Sequence, residues 1–106
     1  MRLLLDECVD ERLRCFFSTH ECHSARYAGL AGLRNGELLL AAEPAGFEVV
    51  ITVDQNLPDQ QNLSSRRISL LILCAPTNRL NDLKRLVPIA LGALDSIKLG
   101  QVAKIR

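Results

Sequence analysis

The sequence predicts an α/β fold, a mostly parallel sheet of about five strands with helices on both faces. Two kinds of segment predict it. Short continuous apolar runs, "RLLLD", "FEVVITVD" and "ISLLILCA", read as strands buried on both faces. Between them lie segments whose apolar residues recur at helical spacing, the strand–helix alternation of a parallel sheet. The first two runs also stop on an aspartate. At 106 residues the chain is expected to form one domain spanning 1–106, long enough to bury a real core.

The elements follow in order. "RLLLD" (2–6) is the first strand. In "DERLRCFF" (10–17), Leu13, Phe16 and Phe17 share one face of a helix. "HECHSARY" (20–27) alternates weakly and reads as a short strand, and the glycine-rich "AGLAGLRNG" as a loop that is no phosphate-binding motif. "NGELLLAAEPAG" (35–46) is a helix with Asn35 as N-cap and Pro44 and Gly46 as stop signals. "FEVVITVD" (47–54) is the third strand, "QNLPDQQNLSSRR" (55–67) a polar connection, and "ISLLILCA" (68–75) the fourth strand. From Arg79 to Ile97 the apolar residues keep a helical period, and Pro88 must kink that helix or start a second one. Gly100 stops it, and "QVAKIR" (101–106) closes the sheet.

Composition narrows the function classes. Thirteen basic and twelve acidic residues give a net charge of +1, so any polyanion must be met by a local patch rather than by bulk charge. No apolar stretch nears the roughly 18 residues of a membrane span, so no membrane partner is expected. "RLLL" is too short for the apolar core of a signal peptide. The expectation is a cytoplasmic protein with reduced thiols, its four cysteines (Cys8, Cys15, Cys22, Cys74) serving as small buried hydrophobes. His20, Cys22 and His23 in "HECHSAR" lack the second cluster a tetrahedral zinc site needs.

The acids at the strand ends carry the functional argument. In a parallel sheet, ligands bind beyond the carboxyl ends of the strands. Asp6 follows the first strand, Glu37 stands in the first turn of a helix, and Asp54 follows the third strand. Singly, each reads as a cap that complements a helix dipole. Together they place like charges at one edge, which calls for a cation. A hard divalent ion suits one or two carboxylates plus water and phosphate, and can activate water against a phosphodiester.

"LLLDE", "NGELL", "ITVDQNLPDQQN" and "TNRLNDL", in that order and spacing over nearly the whole chain, resemble the PIN-like proteins. These are small predicted metal-dependent nucleases, often the toxin of a toxin–antitoxin pair. The resemblance implies a three-layer, Rossmann-like domain with Asp6, Glu37 and Asp54 as its acidic Mg²⁺ or Mn²⁺ site and RNA as substrate. It also implies a small antitoxin partner and self-association, as in a homodimer. Where many such sites carry a fourth acid, this chain has Asn56. An amide oxygen ligates without charge, so one metal ion is expected, with Asn56 and Glu7 as auxiliary ligands and Asp10 and Asp59 as other compensating acids. Glu7 also reads as a first-turn helix residue.

Arg34 and Arg79 stand near the same edge and suit phosphate, while Arg66 and Arg67 precede their strand and belong to the opposite one. Gln60 and Asn62 are candidate contacts to RNA or to the acids. Two rival readings share the fold. A phosphoacceptor receiver domain also sets acids after strands one and three, and Thr77 would be its switch hydroxyl, yet its lysine follows strand five and Lys104 lies within the last strand. A catalytically inactive PIN-like protein-binding module is the other.

Overall fold

We describe residues 1–33, 36–55 and 66–106 of a computed structural model of the chain. Five strands, β1 (Arg2–Leu5), β2 (Glu21–Ser24), β3 (Val49–Thr52), β4 (Ser69–Leu73) and β5 (Val102–Ile105), form one sheet in the order β2-β1-β3-β4-β5. Every pairing is parallel, as the buried apolar runs require. The fold is α/β and consistent with a three-layer, Rossmann-like arrangement.

Period-two alternation divides each strand between two cores. Leu3, Leu5, Val49, Ile51, Leu71 and Leu73 face one side, where they meet Leu13 and Phe17 of a 3-10 helix (Glu11–Phe17). Leu83 of α2 (Leu80–Lys84) and Val87, Ala90 and Leu94 of α3 (Val87–Ser96) complete that layer. Leu4, Val50, Leu70 and Ile72 face the other side, against Leu38, Leu39 and Ala42 of α1 (Gly36–Ala42) and against Phe47.

Several local expectations sharpen. The helix expected over 10–17 is a tight 3-10 helix of seven residues. It buries Leu13 and Phe17 but turns Phe16 outward, where Lys84 Nζ lies 5.2 Å from its ring centroid. The 79–97 segment divides into α2 and α3, and Pro88 stands in the first turn of the second. There a missing N–H costs nothing. Past α1, Gly46 adopts φ +89°, the left-handed conformation that ends a helix, with its N–H on Glu43 O at 3.0 Å. A Cβ there would meet Arg2 Nη1 at 2.7 Å. Asn35, the expected N-cap, lies outside the described residues.

The cysteines depart from expectation. Cys8 and Cys15 are exposed, and Cys22 and Cys74 are half-buried. None belongs to the fully buried set. Cys22 and Cys74 only flank the two cores, Cys22 on the edge strand β2 and Cys74 just past the end of β4.

Candidate functional site

The site is built where the strand order reverses. The chain runs from β1 outward to β2, then returns to the far side of β1 as β3. Such a reversal opens a crevice at the carboxyl ends of the two strands. Asp6 follows β1 directly, and its main-chain N–H donates to Ile51 O at 2.9 Å, one step beyond the last paired residue. Val9 N–H donates back to Asp6 O at 2.9 Å, turning the chain toward the 3-10 helix.

One buried hydroxyl joins the two aspartates. Thr52, fully enclosed at the end of β3, donates from Oγ1 to Asp6 Oδ2 at 2.9 Å. The same oxygen accepts the main-chain N–H of Asp54 at 3.1 Å. Cys8 Sγ lies 3.7 Å from it, as a second weak partner. A hydroxyl offers one proton and two lone pairs, so these three neighbours exhaust its capacity. The Cys8 thiol is held above its ordinary pKa, first by desolvation and also by the Asp6 charge. It therefore stands as a neutral S–H beside the carboxylate.

A cavity of about 550 Å³ opens beside Asp6. Asp6, Glu7, Asp10 and Glu11 line it together with Arg12, Arg26, Asn78 and Arg79. Some of those charges are already committed. Asp10 caps the 3-10 helix through Arg12 N–H at 3.0 Å and pairs with the Arg12 guanidinium at 2.7 Å. That pairing pulls the Asp10 carboxyl down to about 2. Glu7 Oε1 accepts Gly32 N–H at 3.2 Å and so ties the loop after β2 to the cavity wall. Asn78 Nδ2 reaches Cys8 O at 3.5 Å from the opposite wall.

The expected site residues thus separate. Asp6 and Asp54 are linked through Thr52. Arg79 is exposed at the cavity, as its place after β4 implied. Glu7 lines the cavity but spends one oxygen on the loop. Glu37 stands exposed in the first turn of α1, whose Leu38 and Leu39 turn inward, and the residues lining the cavity do not include it. Among the described residues no group of three or more His, Cys, Asp or Glu side chains is gathered closely enough to hold a metal ion. Arg34, Asn56, Asp59, Gln60 and Asn62 lie outside the described residues. Arg67 N–H donates to Glu43 before β4 begins, at the opposite edge as expected.

Three contributors were not singled out from sequence: Thr52, Arg26 and Asn78. Thr52 had a legible signal, a hydroxyl inside an apolar strand two residues before an aspartate. Arg26 and Asn78 had none, because only the fold brings them to the cavity. Thr77 Oγ1 donates to Asp82 and accepts Arg79 N–H at 3.1 Å, so it serves the start of α2. His23 stacks on Tyr27 with ring centroids 5.1 Å apart, and His20 Nδ1 lies 3.4 Å from the N-terminal amine.

Compared with protein-family models, curated proteins and solved structures, the chain matches none of them. No helix among the described residues is long and apolar enough to cross a membrane.

Proposed function

We propose that this chain is a PIN-like, metal-dependent ribonuclease and the toxin of a toxin–antitoxin pair. The observation that carries the reading is the Asp6–Thr52–Asp54 linkage at the strand-order reversal, beside a cavity that also carries Arg79. The hydroxyl sets the Asp6 carboxylate and the Asp54 main chain, and two neighbouring aspartates are a donor pair suited to a hard cation that keeps most of its water. Asp6 and Asp54 would hold one Mg²⁺ or Mn²⁺, and Glu37, which does not line the cavity, would act only through a metal-bound water.

When bound, the ion supplies Lewis acidity toward a phosphodiester and lowers the pKa of a water nucleophile. The chain's own residues do the rest. Thr52 restrains Asp6 by bonding Oδ2, which leaves the other carboxylate oxygen for a ligand. Arg79 and Arg26 at the cavity meet the phosphate and offset the charge that grows during attack. Self-association and a small antitoxin belong to the same reading.

One observation favours a second reading. The strand order 2-1-3-4-5 is also that of receiver domains. Against it, Lys104 sits inside β5, in register with Ile72, rather than beyond its carboxyl end. Thr77 spends its hydroxyl on Asp82 and the Arg79 N–H at the start of α2.

Labelled single-stranded RNA incubated with Mg²⁺, Mn²⁺ or chelator separates the readings. The ribonuclease cleaves with either ion, stops in chelator, and loses at least a hundredfold in rate as Asp6→Asn, in line with loss of a charged ligand. Cleavage that persists in chelator and in the variant contradicts the mechanism. Labelling of Asp54 by acetyl phosphate establishes the receiver instead.

A further inference from the structure

A second cavity adjoins the first. It has a volume of about 370 Å³ and is lined by Arg14, Cys15 and Tyr27, together with Glu11, Arg12, Ser24 and Arg26, which line the acidic cavity as well. The two therefore share a wall at the seam between the 3-10 helix and the end of β2.

The charges in this second part are unequal. Arg12 is neutralised by Asp10, leaving Arg14 and Arg26 against Glu11. Among the described residues neither Arg14 nor Arg26 makes an ion pair. Tyr27 is 78% exposed, an uncommon degree for an aromatic ring. It is nonetheless ordered: its ring lies 7° from parallel to His23, and its N–H donates to Ser24 Oγ at 3.1 Å. Half-buried His23 in turn meets the Phe47 edge, with ring centroids 6.1 Å apart. A ring braced on one face and open to solvent on the other is a stacking platform that loses little entropy on binding.

We infer that single-stranded RNA runs along this groove and round the β2 edge, with phosphates on Arg14 and Arg26 and one base stacked on Tyr27, whose His23 brace lies on the Phe47 side of the sheet. The strand then continues over the shared wall to Asp6. Cations near an open aromatic ring suit an unpaired strand, since a duplex keeps its base faces buried in its own stack. The identity of the ligand rests on the ribonuclease reading. The subsite itself is testable without cleavage.

The probe is a fluorescein-labelled single-stranded RNA of roughly ten nucleotides, a length within the range such grooves span. Its anisotropy is followed in EDTA, beside the same strand annealed to its complement. The single strand binds more tightly than the duplex. Tyr27→Ala weakens it roughly tenfold, the scale of one lost base stack, while Tyr27→Phe binds as the wild type does. Arg14→Gln and Arg26→Gln each weaken binding and flatten its salt dependence. Wild-type protein that binds no RNA, or Tyr27→Ala that binds undiminished, overturns the subsite, and the first result leaves the face to a protein partner. Binding that follows this pattern without cleavage in Mg²⁺ sinks the ribonuclease reading and keeps the subsite. Cleavage without this pattern does the reverse.

Discussion

Thr52 is the residue on which the two aspartates depend, and its hydroxyl is fully enclosed. Thr52→Val keeps the shape but removes the proton given to Asp6 Oδ2 and the acceptor of the Asp54 N–H. Losing these two hydrogen bonds, one of them to a charged group, costs about 1–3 kcal/mol. A urea titration should show that loss as a lower midpoint at unchanged slope, and Thr52→Ser should recover most of it. Valine at no cost would mean the hydroxyl has no organising role. A second residue-scale effect lies at Cys22, whose thiol desolvation pushes from 9.0 to about 12. The folded state keeps the proton where the unfolded chain releases it, so the contribution is whole below pH 9 and is lost as pH rises toward 12. Cys22→Ala should flatten this alkaline decline, and an unchanged decline in chemical-denaturation curves would assign it to other groups.

Among the elements, the 3-10 helix is the one whose ends do most for the site. It starts at Asp10, and its Leu13 and Phe17 anchor it on the sheet, so the cavity wall moves with that cap. Bonding to Arg12 holds the Asp10 carboxyl at about 2 against an ordinary 3.8. A depressed carboxyl stabilises the fold above its unfolded pKa and ceases to as pH falls through the folded value. Asp10→Ala should therefore lower Tm at neutral pH, with the gap to wild type closing as pH drops from about 4 toward 2. A gap constant with pH would mean the charge of the cap is irrelevant. The helix also shows what sequence periodicity misses. Apolar residues at 13, 16 and 17 announce a helix, but the choice between 3.6 and 3.0 residues per turn is made by packing against the sheet.

At the scale of the whole molecule, the strands were legible because a parallel sheet covered on both faces needs unbroken apolar runs, and "LLL", "VVIT" and "SLLIL" are such runs. Pro88 and Gly46 marked a helix start and a helix end for reasons local to their own backbones. The strand order was not legible, since nothing in any one run says that β3 returns beside β1. For that reason Asp6 could be named from sequence while its tie to Thr52, and the arrival of Arg26 at the same cavity, could not. That tie supports the proposal that the carboxyl edge at the β1–β3 reversal holds a divalent cation. Paramagnetic Mn²⁺ titrated below stoichiometry into ¹⁵N-labelled protein would locate such a cation. The amide signals of Asp6, Thr52 and Asp54 should broaden first, and Asp6→Asn should abolish the effect. Broadening centred elsewhere, or none at these three residues, would contradict the claim.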